Sequence, residues 1–77
     1  MIKVLLFAQL QESAGQNELS IDKAPITVKE LKTFVQETYQ LPGITHAMVA
    51  VNEEYADDDH VVNDGDTVAF IPPVSGG

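Results

Sequence analysis

The sequence predicts an α+β fold, a mixed β-sheet packed on one main helix. Three observations carry that expectation. Apolar alternating segments stand near both ends of the chain, Ile2 to Ala8 and Thr67 to Ile71. A single strong helix signal spans residues 27–39 between them. The long middle of the chain supplies the crossover that two parallel neighbouring strands require.

The elements follow in order. Ile2, Val4, Leu6 and Ala8 alternate with Lys3, Leu5, Phe7 and Gln9, the period of a strand with one strongly buried face. Leu10 to Ala14 reads as a short helical turn ended by Gly15. Leu19 and Ile21 alternate in a second strand that forms a hairpin with the first. In the main helix Thr27 is placed as N-cap, Glu30 as its reciprocal partner, and Ile26 and Leu31 as a hydrophobic staple. Val28, Leu31, Phe34, Val35 and Thr38 continue at helical spacing, with Tyr39 beside that face. Pro42-Gly43 is the stop signal. Met48 to Val51 predicts a third strand, Asn52-Glu53-Glu54 a turn, and Tyr55-Ala56 a short edge strand. Asn63-Asp64-Gly65-Asp66 forms a turn with a left-handed glycine that feeds the last strand from Thr67.

With the first and last strands as central parallel neighbours, this order gives the ubiquitin-like β-grasp arrangement. The expected division is a domain over residues 1–71 and an extended tail over 72–77. If Val68 and Phe70 face the helix, Ala69 and Ile71 face away, and Leu5 and Phe7 turn outward on the first strand. Leu5, Phe7 and Ile71 then form an apolar docking patch at the root of the tail. The alternative is that Leu5 and Phe7 lie under the loop following the first strand.

Composition narrows the function classes. Seventy-seven residues with 44% apolar content allow one small domain, and with no cysteine its core has no disulfide or thiolate-zinc staple. Twelve acidic residues against four lysines (Lys3, Lys23, Lys29, Lys32), without arginine, give a net charge of −8. No basic surface for nucleic acid can be built from these; a basic protein partner is the expected complement. No apolar stretch reaches the length of a membrane span, and the N-terminus lacks a signal-type segment, so cytoplasmic residence is expected.

The last residues, Ile71-Pro72-Pro73-Val74-Ser75-Gly76-Gly77, suggest a working tip. At glycine usage of about 7%, two glycines close a chain by chance about once in two hundred cases. Pro72 and Pro73 favour an extended path, over which residues 72–77 reach about 20 Å at ~3.3 Å per residue. Gly76 and Gly77 fit a channel only as wide as a peptide, and leave the carboxylate of Gly77 unhindered for activation as an acyl-adenylate.

Ile2-Lys3-Val4-Leu5-Leu6-Phe7-Ala8, Ala50-Val51-Asn52 and above all Gly65 to Gly77 resemble the small subunits of molybdopterin synthase, a ubiquitin-like sulfur carrier family. The resemblance covers essentially the whole chain, and Pro72-Pro73-Val74-Ser75 before Gly-Gly is its specific part. It implies a non-catalytic sulfur-donor subunit of an enzyme complex. The Gly77 carboxylate would be adenylated from ATP by a ubiquitin-activating-type adenylyltransferase and converted to a thiocarboxylate. The tail, Pro72 to Gly76 included, would enter the large synthase subunit in an assembly of two small and two large subunits. Sulfur would pass to cyclic pyranopterin monophosphate to build the dithiolene of molybdopterin. The chain itself would bind no cofactor or metal. One departure is visible: Gln9 and Gln11 stand where many members carry arginine, so ion pairs made there do not carry over.

The residues agree with that reading on two points. Without cysteine the chain cannot hold sulfur as a persulfide. No base–nucleophile set is legible either: Ser75 has no histidine near it in sequence, and His46 and His60 read as solvated loop residues. Asp57, Asp58 and Asp59 lack the spacing and later glutamate of a calcium loop and read as a solvated bend. Competing readings are a sulfur carrier of the thiamine type, a ubiquitin-like modifier joined to lysines, and a binding module that uses only the patch.

Overall fold

The computed structural model describes residues 1–41 and 43–72. In chain order these form β1 (Ile2–Leu6), α1 (Ala8–Ala14), β2 (Glu18–Ile21), β3 (Ile26–Thr27), α2 (Val28–Tyr39), a 3-10 turn (Ile44–His46), β4 (Met48–Val51), β5 (Glu54–Tyr55), β6 (Val61–Val62) and β7 (Thr67–Ile71). Five strands make one mixed sheet in the order β2-β1-β7-β4-β5, and β3 pairs with β6 as a separate ribbon. β7 runs parallel to β1 and antiparallel to β4, so the last strand lies in mid-sheet.

Period-2 alternation sorts the side chains of the central strands. Register pairs Val4 with Val68 and Leu6 with Phe70, which places all four on one face. They are buried in a single apolar core with Val28, Leu31 and Val35 of α2. Leu19 and Ile21 of β2 and Val49 and Val51 of β4 extend that face.

Two expectations for the first segment need correction. The strand ends at Leu6, and Ala8 is exposed at φ 50 instead of facing the core. The helical turn is a full helix from Ala8 that contributes Leu10 to the core, so the sheet does not pack on α2 alone. Gly15 closes α1 at φ 74, where its N–H donates to the Gln11 carbonyl.

The N-terminus of α2 is built as its sequence predicts. The Glu30 N–H donates to Thr27 Oγ1 at 3.2 Å, and the Thr27 N–H donates to Glu30 Oε1 at 3.1 Å. The Thr27 N–H bond first, then a bond from the Thr27 hydroxyl to Glu30 Oε1 at 3.0 Å, holds the Glu30 carboxyl below its ordinary range. The carbonyls of His60 and Asp58 accept from the N–H groups of Val28 and Lys29, at 2.9 and 3.0 Å. The acidic bend is therefore also a backbone cap for the helix, which its sequence did not reveal. At 100° per residue Thr38 and Tyr39 flank the buried stripe on opposite sides. The tyrosine is partly buried, while Thr38, expected on the apolar face, is exposed. The helix ends at Tyr39 as its spacing predicts, with Gln40 as the cap in the left-handed region (φ 53), ahead of Pro42.

Asn52 (φ 51) and Glu53 (φ 72) form a two-residue turn whose sense matches the twist of a hairpin. It joins Val51 to its partner Glu54, so the edge strand is Glu54–Tyr55, one residue earlier than expected. This turn is tied to the start of β7. The Thr67 N–H donates to Asn52 Oδ1 at 3.0 Å, and the Asn52 N–H donates to the Thr67 carbonyl at 2.8 Å. Asp66 accepts from the Asn63 N–H at 2.8 Å and from Asn52 Nδ2 at 3.1 Å. The Asn63 backbone bond foremost, then the Asn52 amide, holds the Asp66 carboxyl below its ordinary value near 3.8. The N-terminal ammonium of Met1 pairs with Asp64 in the same turn.

A carboxyl whose pKa is depressed on folding stabilises the fold above its unfolded pKa, and that stabilisation is lost as pH falls through the folded value. Asp66→Asn is accordingly expected to lower the melting temperature at pH 7. The gap from the parent should begin to narrow as pH falls below about 4, the unfolded value, and close once pH passes below the depressed folded value, where the parent's own Asp66 is protonated. Thermal melts across pH check this; a gap that stays constant down to pH 2 would contradict it.

Candidate functional site

The C-terminal segment leaves the protein from the middle of the sheet. Phe70 is paired with Leu6 on one side and Val49 on the other, and Ile71 is paired with Met48. Two hydrogen-bonded ladders thus fix the direction in which Pro72 departs. Pro72 itself is half-buried. Pro73, Val74, Ser75, Gly76 and Gly77, named as the tip and its approach, lie outside the described residues.

The other predicted site residues meet on the sheet face opposite α2. Leu5 and Ile71 are half-buried there, and Phe7 is 45% exposed immediately after β1. Cross-strand pairing makes the face continuous. Leu5 pairs with Ala69, Ala69 with Ala50 and Ala50 with Tyr55, which forms one row from β1 to β5. Ile71 and Met48 form the next row, on the side where Pro72 leaves. Met48 is 50% and Tyr55 71% exposed, an unusual outlay of large apolar surface for so small a domain. A notch of about 360 Å³ opens between Leu5, Thr67 and the Asn52-Glu53 turn.

Reasoning from sequence missed Met48 and Tyr55. Met48-Val49-Ala50-Val51 is apolar throughout, so periodicity alone cannot say which of its residues face outward. Pairing decides it: Met48 sits opposite outward-facing Ile71, and Tyr55 opposite Ala50. The only usable signal was the short hydrophobic edge after the Asn52-Glu53 turn.

The chemistry available on this face is docking. Glu18 stands opposite Leu5, and Lys3 precedes it, giving the patch a polar rim on the β2 side. Elsewhere, Lys23 Nζ lies 5.1 Å from the centre of the Phe34 ring, and Lys32 Nζ pairs with Asp58 Oδ1 at 3.3 Å. Those two lysines have partners within the protein. His46 lies in the 3-10 turn and is exposed, as is His60. Among the described residues no three histidine, aspartate or glutamate side chains converge as metal ligands. No helix among them is long and apolar enough to cross a membrane.

The ThiS family model matches residues 4–77. Across 81 aligned residues the chain is 36% identical to the molybdopterin synthase sulfur carrier subunit of Escherichia coli (strain K12), with full coverage of both. Among solved structures it is similar to SAMP1 from Haloferax volcanii, with a TM-score of 0.83, 28% identity and coverage of 99% of this chain and 98% of that one. It is also similar to a chain of the complex of subunits 1 and 2 of molybdopterin-converting factor from Helicobacter pylori 26695. There the TM-score is 0.66 at 25% identity, over 99% of this chain and 97% of that one. The architecture is the ubiquitin-like β-grasp.

Placing a charge on the open face should leave folding intact. Phe7 is the N-cap residue of α1 and makes no side-chain cap bond, and aspartate is a favoured cap. Phe7→Asp is therefore expected to stay within about 1 kcal/mol of the parent in urea unfolding, whereas Phe70→Ala should cost about 3–5 kcal/mol. Equal losses from the two would show that Phe7 belongs to the core.

Proposed function

The chain belongs to the ThiS family, and from that premise we propose that it is the sulfur carrier subunit of a molybdopterin synthase. It resembles named carriers of that enzyme over its full length, and this reading is the one its relatives favour. The observation that carries the proposal in the fold is the mid-sheet position of β7, which sends Pro72 out beside a continuous apolar face. A rigid root next to a docking surface suits a subunit that must place its terminus inside another protein.

In this reading the reacting group is the carboxylate of Gly77. An activating partner transfers AMP from ATP to it, releasing pyrophosphate. Sulfur delivered by a donor then displaces AMP and leaves a thiocarboxylate. In the large subunit that sulfur attacks a side-chain carbon of cyclic pyranopterin monophosphate as a carbon–oxygen bond at that carbon breaks, its oxygen departing on the phosphate or as water. Hydrolysis of the acyl–sulfur bond returns the Gly77 carboxylate and leaves sulfur on the pterin, and a second delivery completes the dithiolene. This chain supplies the carbonyl, the slender tail that carries it and the surface that docks it; the ATP site belongs to the partner.

The division into a domain over 1–71 and a tail over 72–77 follows from the same reading, since each part has its own task. A large-subunit partner is supported by the complex of subunits 1 and 2 in which the Helicobacter pylori chain stands. Two copies of each subunit in the assembly, and residence in the cytoplasm with the ATP-dependent activation, complete the proposal. Leu5, Phe7 and Ile71, joined by Met48 and Tyr55, would cover the contact. Burying each such side chain is worth about 1.5–3 kcal/mol, against an association cost of about 4–15 kcal/mol, so several must be covered together.

Removal of Gly77 is expected to leave binding to purified large subunit within a few-fold of the parent and to abolish pterin product. Intact mass after incubation with ATP, activating enzyme and sulfur donor should show one oxygen replaced by sulfur in the parent alone. Ile71→Asp should do the reverse, weakening binding while the terminus remains chemically competent. Sulfur transfer by the Gly77-deleted chain would refute the terminal mechanism, and isopeptide-linked products on other proteins would favour a modifier.

A further inference from the structure

The apolar face does not end at β5. A second cavity, of about 540 Å³, opens where the β5 edge meets α2, and Met48 and Tyr55 line it together with Lys32, Asp57, Asp58 and Asp59. Buried Ala47 and Val49 back it. Met48 and Tyr55 thus belong to both the open face and this groove, and a protein seated on the face reaches the groove without a gap.

The groove is strongly one-signed. Asp57, Asp58 and Asp59 line it, in a chain carrying −8. Lys32 is the one cation lining it, and it is already engaged: its side chain is 14% exposed and held by Asp58 at 3.3 Å. Among the described residues no ion pair occupies Asp57 or Asp59. Both are exposed, beside the open ring of Tyr55.

We infer that this groove receives an arginine-bearing segment of the large synthase subunit, an inference that rests on the proposed function. A guanidinium matches the lining in two ways at once. Its flat face stacks on an aromatic ring, and its edge donates to carboxylates in pairs. A lysine ammonium would satisfy the charge but not the ring. The cavity lies in the size range that encloses a whole small ligand, which leaves room for peptide flanking the arginine. The apolar face then supplies most of the contact, while the groove sets the orientation of the carrier and speeds encounter with a basic surface. The carboxylates of Asp57 and Asp59 are free to do this because the bend caps α2 through the carbonyls of Asp58 and His60, not through those side chains.

The test uses the full chain and purified large subunit, titrated from about 50 to 500 mM salt. The double variant Asp57→Lys with Asp59→Lys is expected to weaken binding at least about tenfold at low salt and to flatten its salt dependence. The neutral pair Asp57→Asn with Asp59→Asn should give a smaller loss in the same direction, which guards against misfolding of the reversed variant. Thiocarboxylation of both by the activating enzyme, read by intact mass, should match the parent. Parent-like affinity and salt slope in the reversed variant, while Phe7→Asp still weakens binding, would overturn the groove and leave the proposed function standing. Loss of thiocarboxylation with large-subunit binding unchanged would assign the groove to the activating enzyme and overturn the inference as stated. A parent chain that does not bind large subunit at all would overturn both.

Discussion

The parallel ladder between β1 and β7 is the constraint from which the rest of this small protein follows. Parallel neighbours cannot be joined by a tight turn, so the chain between them must leave the sheet and return. α2 and β4 are built in that crossover, and α2 covers the face that Val4, Leu6, Val68 and Phe70 present. The ladder also puts β7 between β1 and β4, where Val68, Ala69 and Phe70 have strand partners on both sides. With one face spent on the core, alternation leaves Leu5, Ala69 and Ile71 on the other. The exit of Pro72 and the open apolar face are thus two consequences of one pairing.

Polar interactions in this protein locate loops more than they hold the core. No buried polar or charged residue occurs in the described core. The Asn52–Asp66–Thr67 bonds fasten the β4–β5 turn to the start of β7, and the Met1 ammonium meets Asp64 in the neighbouring turn. The bend at residues 57–60 serves α2 with carbonyls and leaves carboxylates facing outward. An acidic surface of this kind repels copies of itself and other acidic proteins, and favours a basic partner. With no cysteine, the chain cannot carry sulfur as a persulfide.

Much of this was legible in the sequence, and for identifiable reasons. Alternation at Ile2–Leu6 and Thr67–Ile71 is clean because one face is wholly apolar. Thr27 and Glu30 announce the helix because capping is local chemistry within four residues. The sequence was silent where tertiary pairing decides. Ile26–Thr27 and Val61–Val62 are strands only because they find each other. The 3-10 turn at Ile44–His46 comes from backbone geometry that the nearby Pro42-Gly43 does not announce. The open face was half visible: Leu5, Phe7 and Ile71 followed from strand phase, while Met48 and Tyr55 needed the register of β4 against β7 and β5. The groove at Asp57–Asp59 was invisible, since a run of acids looks the same on any loop.

The central claim is that the sulfur of the product comes from the terminal carbonyl of this chain. The most direct measurement is reconstitution with purified large subunit and a carrier whose Gly77 thiocarboxylate holds isotopically heavy sulfur. Mass spectrometry of the pterin product is expected to find the heavy isotope in the dithiolene, with one carboxylate-ended carrier returned for each sulfur delivered. A dithiolene of ordinary sulfur, formed while the label stays on the carrier, would contradict the account.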